Sequence, residues 1–396
     1  MNALEGIRVL DLGTFIAGPY CTTILGEFGA EVIKVEPPKG GDSLRRLGTN
    51  TACGDTLVWL SESRNKKCVT LDLQSERGRL LLKQLAAKCD IVVENFRPGT
   101  LEKWGLGYDE LKKLNPGVIL VRISAYGQDG PMRQRPGFAR IAHAFSGLAY
   151  LAGEPGRVPV VPGSTSLADY MSGMYAAIGA LIALKARDNT GEGQCVDLAL
   201  YESVFRVLDE LVPAYQKFGV VRERQGPDVS YVCPHSHYQT ADGRWIAIAC
   251  SNDLMFERLA KAMGQPDLAS TDLYGPKEAR LAAKDDVNKI VAAWVGSLPH
   301  QEVLALCAKH EAPASLIYSI ADIFADPQYQ ARGNIQTTDS RIGELAVPNV
   351  VPRLSSTPGA IRWLGEALGM HNEAIFGELL NLSRVEIDEL RHTGVI

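Results

Sequence analysis

The chain has 396 residues, 46% apolar and 22% charged, with a formal net charge of −5. That length exceeds what one simple core uses, so two domains are expected, and a mildly acidic chain without basic runs argues against a nucleic-acid or membrane-surface partner. Eight cysteines and seven histidines are scattered without metal-ligand spacing; His235 and His237 have no third ligand nearby, so neither a zinc site nor a disulfide frame is expected, and the protein reads as reduced and cytoplasmic. No apolar leader follows Met1, and the longest apolar run, about residues 173–184, is too short to span a bilayer.

In chain order, residues 7–12 form an apolar strand, 14–19 a Gly/Pro-containing loop, 20–28 a helix and 29–36 a second strand. Strand, helix, strand within about thirty residues is a βαβ unit, which handedness rules make a parallel pair. There is no GxGxxG fingerprint, yet the loop after the first strand sits where open α/β sheets place ligands. Further strands are expected at 69–73, 90–94 and 118–123, with a helix over 75–88, so the sheet reads as parallel and doubly wound. A strand at 195–200 and a long helix over 201–218 follow. Residues 220–232 turn polar and read as a linker. A hairpin over 237–249, turning at Asp242-Gly243, opens a region dominated by helices to about residue 309. Residues 363–395 read as helical and charged.

The stretch 163–184 carries Met171, Met174, Tyr175, Ile178, Leu181 and Ile182 at helical spacing. Ser166 and Asp169 resemble a capping-box start. A carboxylate in a first turn is held ionised by the helix dipole and free N–H groups. Two roles for Asp169 stay open from this segment: a helix cap, or a carboxylate kept charged to act as a nucleophile.

Several blocks together resemble one family. Leu4-Glu-Gly-Ile-Arg-Val-Leu-Asp-Leu12, Ala17-Gly-Pro19, Gly41-Asp42, Arg64-Asn-Lys-Lys67, Glu94-Asn-Phe-Arg-Pro-Gly99, Tyr126-Gly-Gln128, Leu167-Ala-Asp169 and Thr190-Gly-Glu-Gly-Gln194 are similar, in the same order, to the class III CoA-transferases (the formyl-CoA and carnitine CoA-transferase family). The resemblance implies an α/β fold with a Rossmann-like large domain (1–220 and 328–396) and a smaller α+β domain (221–327). It also implies an interlocked homodimer and coenzyme A bound as acyl-CoA substrate, without a metal. It makes Asp169 the nucleophile, passing through a mixed anhydride to an aspartyl-CoA thioester. Asn95, Phe96, Arg97, Lys103 and Leu71 become CoA contacts, and Phe15, Ile16, Ala17 and Phe138 pocket residues. Ile16 and Phe138 replace a Gln and a Tyr of formyl-CoA transferase, and a glycine-rich loop is missing near 249–255, which speaks against oxalate. The related racemases carry Gly-His-Asp where this chain has Gly137-Phe-Ala139; His143 lies further on and reads as packed or capping. The nearest likeness is to the branch using succinyl-CoA with small dicarboxylates, for which Arg46 and Arg140 are candidate partners of the distal carboxylate.

Overall fold

The computed structural model describes residues 2–161, 163 and 165–396. The chain forms two compact units, one from Met1–Ala149, Val161–Lys217 and Tyr329–Ile396, the other from Tyr150–Val160 and Phe218–Gln328. Tyr150–Val160, expected in the larger domain, groups with the second unit.

The first unit is built on a parallel sheet of β1 (Arg8–Asp11), β2 (Glu31–Glu36), β3 (Lys66–Thr70), β4 (Ile91–Glu94), β5 (Ile119–Ser124) and β6 (Cys195–Ala199), in the order β3-β2-β1-β4-β5-β6. The inner strands are largely apolar along both faces because each face is covered, while β6 at the edge is partly exposed. Leu10, Ile33, Val69 and Leu120 pack on one side with Leu82 of a helix and Phe376 from the chain's end. Val9, Val32, Val93 and Val121 pack on the other against α1 (Ala17–Glu27). The strand order reverses between β1 and β4, and open α/β sheets bind ligands beyond the carboxyl ends of such a pair.

Up to residue 218 the further helices are α2 (Leu57–Glu62), α3 (Glu76–Ala86), α4 (Thr100–Lys103), α5 (Tyr108–Leu114), α6 (Ala139–Phe145), α7 (Leu148–Leu151, across the division at Ala149), α8 (Leu167–Thr190), α9 (Leu200–Phe205) and α10 (Leu211–Phe218). By length and composition α8 suffices to cross a membrane, contrary to the sequence expectation. Its face of Ala168, Ser172, Gly173, Ala176, Ala177, Ala180 and Ala183 is instead buried in the folded unit. Small residues there bring α8 close to α1: a Cβ on Gly173 would lie 2.9 Å from the Ala17 carbonyl oxygen.

The second unit pairs β7 (His235–Gln239) with β8 (Trp245–Ala249) and adds β9 (Ala314–Leu316), all antiparallel. The expected Asp242-Gly243 turn joins the first two, with Gly243 at φ +78°. In the first unit, the hairpin β10 (Ile335–Ser340) and β11 (Gly343–Pro348) had no sequence expectation. The expected helix over 201–218 is broken into α9 and α10, with Asp209 at φ +57° between them. The C-terminal region carries only a short π-helical segment, Glu373–Leu379, and a helix over Arg384–His392.

Charge is buried under the first strand end. Asp11, Lys34, Lys66, Asp42 and Glu36 are each at most 2% exposed. Lys66 Nζ lies 2.9 Å from Asp11 Oδ2, and Lys34 Nζ lies 2.7 Å from Asp42 Oδ2 and 3.8 Å from Asp11 Oδ1. Burial alone would raise Asp11, but Lys34, Lys66 and the Thr22 hydroxyl hold it below the usual carboxylate range. Burial opposes the charge of Lys34 too, yet its three acidic neighbours win and raise it. Glu36 extends the cluster to Arg45, which stacks over Trp59 at 3.7 Å and reaches Asp55 at 3.0 Å. β3 begins three residues earlier than the hydrophobic pattern predicted because Lys66, polar by type, points into this cluster. Breaking such a pair leaves an uncompensated buried charge. Lys66→Met is therefore expected to cost about 3–5 kcal/mol, read from chemical denaturation against the parent protein.

Candidate active site

A cleft of about 260 Å³ opens at the reversal point of the sheet, wholly within the first unit. Its walls come from the loop after β1 (Thr14, Phe15, Ile16, Ala17), the loop after β4 (Asn95, Phe96, Arg97, Pro98) and the end of β5 with its following loop (Ile123, Ser124, Ala125, Arg133, Arg135, Pro136, Gly137, Phe138), together with Asp169 and Leu200. Gly137 permits a close approach, since a Cβ there would lie 2.7 Å from that of Ala125.

The loop after β1 is held at nearly every backbone group. Gly13 N–H donates to Asp11 Oδ1 at 3.0 Å, and the Gly13 carbonyl accepts from Lys34 Nζ. The Asn95 amide engages Thr14 twice: its oxygen accepts from Thr14 N–H at 2.7 Å and its NH2 donates to the Thr14 carbonyl at 2.8 Å. Phe15 N–H donates to Asp42 Oδ1 at 3.0 Å. This last bond pins a residue at φ +60°, a conformation that costs a non-glycine residue on the order of 1–3 kcal/mol. After these clamps the N–H groups of Ile16 and Ala17, at the start of α1, have no acceptor among the described residues.

Asp169 occupies the first turn of α8 and lines the cleft. The expected capping box is absent: Ser166 makes no side-chain cap, and only its carbonyl accepts, from Asp169 N–H at 2.9 Å. A cap comes from α6 instead, where His143, 1% exposed, accepts at Nε2 from Ala168 N–H at 3.0 Å. The expectation that the helix start holds the Asp169 carboxyl at low pKa is also overturned. Loss of water on burial pushes it up to about 6, and no cation pairs with it among the described residues. Pro162 and Ser164, in the chain leading to this helix, lie outside the described residues.

The other sequence candidates divide. Phe15, Ile16, Ala17, Phe138, Asn95, Phe96 and Arg97 come together on the cleft, with the rings of Phe15 and Phe138 edge to face at 6.1 Å. Leu71 lines an adjoining hollow of about 170 Å³ with Phe96, Trp104, Pro37 and Gln74; the two cavities share Thr14 and Phe96. Lys103 is exposed at the end of α4, next to Trp104. Arg46 and Arg140 do not line the cleft: Arg46 donates to the Gly40 carbonyl, and Arg140 is exposed on α6. Arg133 and Arg135 line it instead, and neither they nor Arg97 forms an ion pair among the described residues. Sequence reading missed this pair because two arginines in a polar loop look like solvated surface. It missed Ser124 too, whose buried hydroxyl has no partner among the described residues and whose residue lines the cleft.

A carboxylate without an ion pair among the described residues, on the wall of a cleft that arginines and an adjoining apolar slot also line, suits acyl chemistry on a large anionic ligand. The family model of CoA-transferase family III matches residues 4–372. The chain belongs to that family. It is 56% identical over 396 residues to the succinyl-CoA–L-malate CoA-transferase beta subunit of Chloroflexus aurantiacus, covering 99% of this chain and 98% of that one. It is 54% identical over 395 residues to the alpha subunit of the same name from that organism, covering 99% and 92%. Among solved structures, a CAIB/BAIF family protein from Brucella suis is similar at a TM-score of 0.84 and 33% identity, over 96% of this chain and all of that one. Coenzyme A is therefore a substrate of this enzyme. Among the described residues no three His, Cys, Asp or Glu side chains gather as a metal site.

Asn95→Ala would leave the Thr14 N–H and carbonyl unpaired in the cleft wall. The expected cost is on the order of 2 kcal/mol of stability, measured by equilibrium denaturation.

Proposed function

We propose that this enzyme moves CoA from succinyl-CoA to a small dicarboxylate of the malate type, with Asp169 as covalent nucleophile. The observation that carries this reading is Asp169 itself, a desolvated carboxylate without a partner among the described residues, on the wall of the cleft at the sheet's reversal point. Two relatives more than half identical over nearly the whole chain bear names that combine succinyl-CoA and L-malate, which supports this donor and acceptor class.

A carboxylate oxygen of Asp169 attacks the donor thioester carbonyl and expels CoA as thiolate, leaving a mixed anhydride. The thiolate then attacks the Asp169 acyl carbon, releasing succinate and forming an aspartyl-CoA thioester. The acceptor carboxylate attacks that thioester and again expels the thiolate. Attack of the thiolate on the acceptor's acyl carbon gives the product thioester and frees Asp169. Each step passes through a tetrahedral oxyanion, for which the unpaired N–H groups of Ile16 and Ala17 and the Ser124 hydroxyl are the available donors. Phe96, Trp104 and Leu71 offer an apolar slot for the adenine and its linker, with Arg97 and Lys103 beside it for phosphates. Arg133 and Arg135, in place of Arg46 and Arg140, hold the distal carboxylate of the acid. Weighing against a two-base racemase, the Nε2 of His143 is already taken by Ala168 N–H.

The active unit is proposed to be a homodimer. Met174, Ile178, Leu181 and Ile182 of α8 and Val212, Tyr215 and Phe218 of α10 stand exposed, more apolar surface than a monomer usually shows water. That relatives are named alpha and beta subunits supports a partnered enzyme. Its eight free cysteines suit a reducing, cytoplasmic setting.

Asp169→Ala is expected to abolish CoA exchange, by at least about a thousandfold, in assays of succinyl-CoA against a panel of dicarboxylates; retained exchange rejects the reading. Arg133→Gln and Arg135→Gln test the distal contact. At least one should raise the acid's KM about tenfold or more, with the KM for succinyl-CoA little changed. The attacking form of Asp169 is the carboxylate, and its pKa is raised. Activity should therefore be full above neutrality and fall through a midpoint of about 6, not 4, as the pH drops, read from kcat/KM against pH.

A further inference from the structure

The helix that presents Asp169 lacks its own side-chain cap. Ser166, at the N-cap position with φ −80° and ψ 54°, makes no capping bond. The N–H of Ala168, the residue immediately before Asp169, donates to His143 Nε2 at 3.0 Å. His143 reaches it from α6, twenty-five residues earlier in the chain. The imidazole is buried, and its Nδ1 has no partner among the described residues. An imidazole nitrogen that accepts a hydrogen bond must be unprotonated, so the other nitrogen carries the proton. Burial, then the nearby Arg140 guanidinium, lowers the His143 pKa and favours this neutral state.

We propose that His143 is a positioning residue for the transfer reaction, fixing the start of α8 and thereby the direction in which the Asp169 carboxylate meets the thioester. The inference rests on Asp169 as nucleophile. It assigns His143 no proton transfer and no contact with substrate.

The geometry makes this more than a stability contact. Asp169 is not steered by an ion pair or side-chain hydrogen bond among the described residues, so its placement comes from the backbone of the turn that carries it. Among the described residues that turn takes one side-chain hydrogen bond from outside its helix, and it falls on the adjacent residue; on the other side of Asp169, Tyr170 only packs its ring edge to face on Tyr20 of α1, centroids 4.8 Å apart. Reaction geometry is sensitive at this scale: a displacement of about 1 Å can cost a hundredfold in rate. The same contact joins α8 to α6, which begins next to Phe138 on the cleft wall. Arg140 on its own helix is the charged group that acts on His143; of the helices packed against α6, α8 carries Asp169 in its first turn and α9 carries Tyr201 and Glu202. Glu202 is committed to the Ala199 N–H at 2.8 Å.

The test compares His143→Leu, which fills the volume but cannot accept, with His143→Gln, whose amide oxygen can. Folding is checked by thermal unfolding, and kcat, KM and the pH profile are measured with succinyl-CoA and an accepting acid. His143→Leu is expected to lower kcat by at least about tenfold with KM for succinyl-CoA within about threefold. His143→Gln is expected to recover most of kcat with an unshifted acid limb. Folded His143→Leu with parental kcat, or His143→Gln no better than Leu, overturns the proposal. If His143→Leu does not fold, His143→Gln decides: near-parental kcat with an unshifted acid limb supports positioning. A tenfold loss, or an acid limb that moves with the substitution, contradicts it. Asp169→Ala, assayed alongside, separates the two readings. An inactive Asp169→Ala beside a fully active His143→Leu removes the role of His143 and leaves that of Asp169.

Discussion

The cleft depends on a constraint that lies beneath it: buried charges that must satisfy one another. Asp11 and Lys66, then Lys34 and Asp42, form pairs that also hold the backbone of the loop after β1. Lys66 also donates to the Pro19 carbonyl at 2.6 Å, inside the first turn of α1. Replacing such a cluster with apolar side chains can be neutral for stability. An apolar cluster would hold no carbonyl or N–H in place, however, and Phe15 would have nothing to keep it at φ +60°. The cluster fixes backbone groups where a substrate carbonyl would be activated, in the manner of a preorganised site.

Across the cleft the electrostatics run the other way. Where Asp11 is held low by two lysines, Asp169 is desolvated without compensation, and its pKa rises to about 6. A carboxylate stabilised by a cation would be a poor nucleophile, because attack would first have to break the pairing. A desolvated one is more reactive, at the expense of some charge at neutral pH. The same chain thus uses one carboxylate as a structural anchor and another as a reagent, and their surroundings decide which is which.

Much of this was legible in the sequence, for physical reasons. The five strands expected from residue 7 to residue 123 were read from apolar runs, because a parallel sheet buried on both faces demands them. Asp169 stood out by its position in a helix start and by the family resemblance. What failed to show was anything set by tertiary partners. Lys66 looks like part of a polar run until Asp11 is seen beside it. Asn95 lines the cleft, and that its amide also clamps the Thr14 backbone shows in no local pattern. Ser166 and Asp169 have the spacing of a capping box, while the cap comes from His143, which no local pattern could supply. Arg133 and Arg135 reach the cleft because their segment lies beside the loop after β4, where Gln134 donates to the Pro98 carbonyl at 3.1 Å.

The central claim is a covalent acyl intermediate on Asp169. It is tested most directly by mixing the folded enzyme with succinyl-CoA, quenching with hydroxylamine, and mapping the modified peptide by mass spectrometry. The account predicts a hydroxamate on Asp169 that forms only in the presence of the donor thioester. Modification at another carboxylate, or none in enzyme that is turning over, would contradict it.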